Sequence, residues 1–230
     1  MGGNVVSGRK NASASVLAVN CKFKQYKPEV ESRIRRQQVK PDKKLGQLRA
    51  LFCDYYKNAR KILYRDSPEF EKLMGAISWP GISSRDVEKF SSIMGEFESG
   101  RLSRATLGKF ISGMIRSSND TEFTVHTKHL TELPDELALR KPEQTLVVNG
   151  DAGYYVGRGM TGGRVIIEGN LDDYAGSEMK GGSIMVKGNA GHCIGEGMEG
   201  GEIHTDGEIG EIGNVKHGKI FHKGKLIVDK

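Results

Sequence analysis

The chain has 230 residues, with 35 Lys and Arg against 29 Asp and Glu, a formal net charge of +6, and 31 glycines against six prolines. That length admits one or two domains. No run of about 18 apolar residues occurs, which excludes a membrane-spanning helix, and three scattered cysteines, Cys21, Cys53 and Cys193, exclude a disulfide framework and a paired-cysteine metal site.

Residues 1–44 hold eleven Lys or Arg against Glu29, Glu31 and Asp42, a balance of +8, which leaves −2 for everything that follows. The sequence pI of about 9.1 therefore describes an arm and not the fold. The arm is rich in Gly, Ser, Asn and basic residues, a composition that cannot offset the entropy of ordering, and disorder is the expectation. Its alternative use is as a docking arm for an acidic partner surface. Its sparse aromatics give no base-stacking platform for nucleic acid. Residues 16–19 are too short for a signal-peptide core. The start Met-Gly-Gly-Asn-Val-Val misses the myristoylation pattern, because Val6 stands where Ser or Thr is needed. A cytoplasmic protein without membrane attachment is expected.

Residues 45–120 read as a small helical domain. Leu48, Leu51, Phe52, Tyr55, Ala59, Ile62 and Leu63 recur at three- and four-residue steps. Asp66, Ser67 and Pro68 end that helix and start a second, with Pro in its first turn, carrying Phe70, Leu73, Met74 and Ile77. Trp79-Pro80-Gly81 is a turn. A third helix from residue 83 puts Val87, Phe90, Met94 and Phe97 on one face and closes at Gly100. Ser103 is read as the cap of a fourth, with Leu107, Phe110, Ile111, Met114 and Ile115. The apolar stripe is core. Residues 121–144 follow as one strand, with Phe123 and Val125 alternating, and then a linker carrying Pro134 and Pro142.

From residue 145 the chain changes character. Three adjacent copies, GDAGYYVGRGMTGGRVIIEG, GNLDDYAGSEMKGGSIMVKG and GNAGHCIGEGMEGGEIHTDG, share their boundary glycines. Gly150, Gly169, Gly188 and Gly207 are each 19 apart. The same period relates Gly157, Gly176 and Gly195; Met160, Met179 and Met198; Gly162, Gly181 and Gly200; Gly163, Gly182 and Gly201; and Val165, Ile184 and Ile203. A fixed period near twenty marks a solenoid whose coils bury their apolar faces only against one another. A leucine-rich repeat lacks its Leu series here, and a calcium-binding β-helix lacks its regular Asp. Short apolar strands closed by glycine corners, three strands to a coil, fit a parallel β-helix in which residue n stacks on n+19 at about 4.8 Å. That register places Glu168 on Lys187, Lys187 on Asp206 and Lys180 on Glu199. It also aligns a polar column of Asp151, Asn170, Asn189 and Glu208. Leu146 and Val148 stand 19 before Val165 and Ile167, so the solenoid begins there. Ile220, His222, Leu226 and Val228 belong to its last strands.

The repeat G-x(6)-G-x-x-M-x-G-G-x-[VI]-x-[VI]-x-G resembles the GXGXG family, which holds the C-terminal domain of the glutamate synthase large chain and the C subunit of formylmethanofuran dehydrogenase. The unbroken period is more similar to the latter. The last copy departs from it, with Thr205 in the second [VI] place. The resemblance covers residues 146–230 and none of the first 120. It implies a right-handed parallel β-helix serving as a structural part of a large oxidoreductase, with the chemistry on neighbouring domains or subunits.

Two other motifs carry less. Gly157, Gly159 and Gly162, and again Gly195, Gly197 and Gly200, spell G-x-G-x-x-G, but a strand follows where a dinucleotide site needs a helix. His192, His204, His217 and His222 crowd the last coils, His192 in a variable outer column; a metal would need three to converge. Cys193 is expected to fill the coil interior as a small hydrophobe. No nucleophile, base and oxyanion donor come together in the sequence. The chain therefore reads as a helical N-terminal domain followed by a β-helix over 145–230, with no catalytic, cofactor or metal residues to nominate. Its expected partners are other subunits of an enzyme complex or a second copy of itself.

Overall fold

The structure, a computed structural model, describes residues 42–62, 68–98 and 101–230. The basic arm as far as residue 41, with Cys21, and the positions of Leu63, Asp66, Ser67 and Gly100 lie outside the described residues, as does the side chain of Phe70. Four helices come first: α1 (Lys43–Ala59), α2 (Pro68–Gly75), α3 (Ser84–Ser91) and α4 (Arg101–Ser117). Asp42 caps α1 by accepting from the backbone N–H groups of Lys44 and Leu45. Asp86 does the same for Ser83 at the start of α3, at 2.9 Å. The expected apolar stripes meet. Phe52 lies with its ring centroid 4.7 Å from Phe97, 5.2 Å from Phe110 and 5.8 Å from Phe90, at the distances favoured by tilted aromatic pairs.

Helix boundaries differ from the sequence reading: α1 stops at Ala59, short of Ile62, and α2 at Gly75, short of Ile77. The third helix stops at Ser91, and Met94–Phe97 continues as a 3-10 turn that still delivers Met94 and Phe97 to the core. The fourth helix begins at Arg101, so Ser103 stands inside it and not at its cap.

Seven strands form one sheet in sequence order: β1 (Glu122–His126), β2 (Thr145–Asn149), β3 (Arg164–Ile167), β4 (Ser183–Val186), β5 (Glu199–Thr205), β6 (His217–His222) and β7 (Lys225–Asp229). The first six pair in parallel and build a solenoid of about five turns. The register is the one the repeat dictates, with Thr145 beside Arg164, Ser183 and Glu202 in turn, and Leu146 beside Val165, Ile184 and Ile203. The period is looser at both ends: Glu122 pairs with Thr145, 23 residues on, and Glu202 with Lys219, 17 residues on. Each coil carries one ladder of this kind. Its other sides are held by single bridges, such as those joining Ala152, Leu171, Ala190 and Ile209, because glycine corners leave them too short for a named strand.

Alternation decides what is inside. Leu146, Val165, Ile184 and Ile203 are fully buried, as are Val148, Ile167 and Val186. Thr205 takes the next place in the second row, its hydroxyl buried without a hydrogen-bond partner. On the outside, Asp151 accepts from the N–H of Asn170, Asn170 from Asn189 and Asn189 from Glu208, at 2.6, 2.9 and 2.8 Å. The polar column is thus a ladder that satisfies one corner donor per coil.

The two ends of the solenoid are finished differently. At the first end the helices close it. α3 packs on β1, where the Ser91 hydroxyl accepts from the N–H of His126. The stretch expected to be a linker runs along the first coil instead: Leu137 and Leu139 are buried, and Gly157 donates to the Leu137 carbonyl at 2.7 Å. α4 lies against that stretch. The Asp135 N–H donates to the Arg104 carbonyl, and the Ala138 N–H to the Ser112 hydroxyl. The other end is made by a reversal of the chain. Lys223 and Gly224, both at positive φ, turn the chain back, and β7 pairs antiparallel with β6. Among the described residues no helix is long and apolar enough to cross a membrane.

Candidate functional site

The motif residues occupy corners and interior. Gly157, Gly176 and Gly195, and Gly163, Gly182 and Gly201, all have positive φ. Met160, Met179 and Met198 are fully buried. The two columns lock together: a Cβ on Gly182 would stand 2.7 Å from the Met160 methyl, and one on Gly201 would stand 2.7 Å from the Met179 methyl. Gly162, Gly181 and Gly200 leave no more room, facing the carbonyl oxygens of Thr161 and Lys180 or the ring of Pro142. The boundary glycines behave likewise, since a Cβ on Gly169, Gly188 or Gly207 would press on the Asp, Asn or Asn below it and on the preceding backbone carbonyl. Gly150 packs against Thr127. Both G-x-G-x-x-G sequences are therefore coil corners followed by strands, the second running directly into β5.

Cys193 corrects an expectation. It sits at a positive-φ corner above Tyr155 and Tyr174, which share that conformation, and it is half-exposed, while the neighbouring Ile194 fills the coil. The Tyr155 and Tyr174 rings stack at 4.7 Å and 15°, and the Cys193 thiol beside the Tyr174 hydroxyl pushes that phenol above its ordinary range. The histidines do not converge. His192 is exposed, His204 stacks on Phe221 at 4.3 Å, and His222 meets the Gly207 carbonyl. Among the described residues no group of three or more His, Cys, Asp or Glu could hold a metal ion.

One cluster went unnoticed in the sequence because its members come from three segments. Arg104 of α4 reaches Asp135 at 3.1 Å and Asp172 at 3.3 Å, with its guanidinium 5.1 Å from the Tyr154 ring centre. Burial pushes the carboxyls of Asp135 and Asp172 up, against the pull of Arg104. Asp135 also accepts from the Tyr154 N–H. The arrangement is a clasp between helix and coil, since its groups are spent on one another.

A groove of about 680 Å³ opens beside the first coils, lined by Thr124, Thr127, Lys128, Asn149, Asp151 and Glu168 among others. It offers one cation and two carboxylates, with no histidine or cysteine in its walls. The outer charges follow the stacking register, Lys187 meeting Glu168 at 2.9 Å and Lys180 meeting Glu199 at 3.8 Å. What remains unsatisfied is the far end. β7 is the last strand of the sheet, and its Leu226 and Ile227, 47% and 44% exposed, are the exposed large hydrophobic residues among the described part of the chain. Comparison with family models, with curated proteins and with solved structures finds no match for this chain.

Proposed function

We propose that this protein is a non-catalytic assembly subunit, its solenoid serving as a rigid docking element in a larger enzyme. The observation that carries the reading is the unequal finish of the two ends: helices cover one, α3 accepting from His126 and α4 from Ala138, while the other presents an apolar edge strand. A sheet edge of this kind is a template for another chain. The interior is filled by methionine and aliphatic side chains, and the corners by glycine, so the repeats supply surface and stiffness rather than acid–base groups. The repeat's resemblance to the GXGXG family makes an oxidoreductase complex of the formylmethanofuran dehydrogenase or glutamate synthase kind the proposed host. Affinity purification from the native cell, with identification of co-purifying chains, tests this. A molybdopterin, amidohydrolase or glutamine-amidotransferase subunit in the eluate is the expected result. Turnover of a substrate by the isolated chain, abolished by a change on the solenoid, would overturn it. A free-standing homo-oligomer is the second reading, favoured by the exposure of Leu226 and Ile227 on β7.

A further inference from the structure

The outward side chains of the sheet line up as strictly as the inward ones. Val147 stands beside Ile166, Ile166 beside Met185, Met185 beside His204, His204 beside Phe221, and Phe221 beside Leu226. Their neighbours Leu146, Val165, Ile184, Ile203 and Ile220 are buried, so this row faces out. It crosses six strands and runs about 24 Å along the solenoid, at about 4.8 Å per strand. The His204 ring is its one polar member and lies flat against Phe221, at 2° and 4.3 Å. Charged rows flank it, Arg164, Glu202 and Lys219 on one side and Glu168, Lys187 and Asp206 on the other. Parallel sheets are usually covered on both faces, yet the helices meet this one chiefly at β1, through α3. A cover has to match the pitch of the row. An extended strand laid along it presents same-face residues about every 6.7 Å and loses step at once. An α-helix turns about every 5.4 Å and drifts by about 3 Å over the row. A second stack of the same coils keeps step from end to end.

We propose that this outer face is a homodimer interface, two copies packing sheet to sheet about a two-fold axis parallel to the strands. Two-fold pairing is the commonest closed symmetry, because one patch serves both partners. The axis passes between β4 and β5, the middle of the row, so it keeps strand direction and reverses the order of the coils. Met185 then faces His204 of the copy, Ile166 faces Phe221, and Val147 faces Leu226. Lys187 faces Asp206 and Glu168 faces Lys223, each twice. Arg164 over Lys219 is the one like pair, and Asp229 stands beside Lys219 to offset it. The other in-plane axis, across the strands, gains Arg164 on Glu168 but sets Glu202 on Asp206 and Lys219 on Lys223, so the charges oppose it. The favoured axis also joins the two ends of the solenoid. The β6–β7 turn at Lys223 and Gly224 of one copy comes over Asn149 and Glu168, in the groove beside the first coils, and the exposed Leu226 over Val147 in its wall. Six strands of about five residues give a footprint of about 450 Å² per copy, short of the roughly 800 Å² per partner of a standard interface. The dimer is therefore expected to dissociate on dilution. The proposal deepens the assembly reading by naming a partner, yet the two fail separately. A monomer that co-purifies with an enzyme subunit defeats the dimer alone, and a dimer that turns over substrate defeats the assembly reading alone.

The test is sedimentation of the full chain over a dilution series, for wild type and for Met185→Glu, which puts a charge at the centre of the row. Wild type is expected to shift from monomer to dimer as concentration rises, and the variant to need at least about tenfold more protein to do so. Because Met185 faces outward, circular dichroism and thermal melting are expected to match wild type, which separates a lost contact from a lost fold. A second measurement reads the geometry, with a bifunctional maleimide that spans about 10 Å, the spacing of packed sheets. An equal mixture of Ile166→Cys and Phe221→Cys chains is expected to cross-link beyond the background of the wild-type cysteines. Neither variant alone should do so, because the axis leaves like positions three strands apart. A wild-type chain that stays monomeric at every concentration overturns the proposal, also where an enzyme subunit covers the face instead. So does a dimer indifferent to Met185→Glu, or one in which Ile166→Cys alone cross-links as well as the mixture.

Discussion

At the scale of single residues the solenoid is held by a pairing of methionine with glycine across successive coils. Each buried methionine runs its methyl group into the space where the next coil's glycine has no side chain: Met160 under Gly182, Met179 under Gly201, Met198 under Gly218. Gly182 is constrained twice, by φ of +91° and by the carbonyl oxygen of Gly163, 2.6 Å from any added Cβ. Gly159 also has positive φ, +57°, but faces open space. Gly182→Ala is thus expected to destabilise by about 3 kcal/mol or more, from strained backbone plus overpacking. Gly159→Ala should cost about 1 kcal/mol, the conformational part alone. Chemical denaturation of both variants measures the difference, and equal losses would show that steric fit plays no part. Met179→Asp is harsher. It puts a charge without a partner at a fully buried position, which costs several kcal/mol, and the expected outcome is loss of a cooperative melting transition.

Between elements, the joint of α4 with the first coil fixes the helical part against the solenoid alongside the packing of α3 on β1. Gly108 permits the approach, since a Cβ there would stand 1.6 Å from the Asp135 carbonyl oxygen. Arg104 then holds Asp135, which is 4% exposed, and Asp172. Removing the cation strands a buried carboxylate, so Arg104→Met is expected to lose about 3 kcal/mol near neutral pH. The sign of the pH dependence follows from burial. Burial raises the folded Asp135 above the ordinary 3.8, so the folded state keeps its proton to higher pH than the unfolded chain. The stability this contributes is present below 3.8 and lost as pH rises through the folded value. Without Arg104 to oppose it the folded value rises further. Arg104→Met should therefore recover part of its deficit as pH is lowered toward 4, relative to wild type. A deficit that stays constant from neutral pH to 4, followed by thermal melting, would mean that Asp135 is not the group left unpaired.

For the whole molecule, what could be read in advance was whatever repeats. The 19-residue period gave the rung-to-rung register of β2 through β5, the buried methionine column and the corner ladder from Asp151 to Glu208, because stacked coils must align like with like. Where its signature fails, so does the reading. Residues 131–144 lack glycine corners and look like a linker, yet they run along the first coil in the repeat's own register, Glu136 sharing positive φ with Tyr155 and Leu137 accepting from Gly157 as Val156 accepts from Gly176; the offset of 23 belongs to β1 against β2. Cys193 lies in a column the repeat identifies correctly, but a column says nothing of which way it points, and positive φ at that corner breaks the alternation that would have told. The Arg104 clasp joins residues 31 and 68 positions apart, beyond any local signal. This division between regular middle and irregular ends also predicts how the solenoid opens. Its stability is a sum over neighbouring coils, so unfolding starts wherever an end is least held. The first end is sealed by α3 and α4. The last has register breaks between β5 and β6 and again between β6 and β7, with β7 largely exposed. Amide hydrogen exchange at low protein concentration should therefore run as a gradient, fastest in β7 and β6 and slowest in β2 to β4. Exchange that begins at β1, or uniformly along the sheet, would show that the helices do not anchor the first coil.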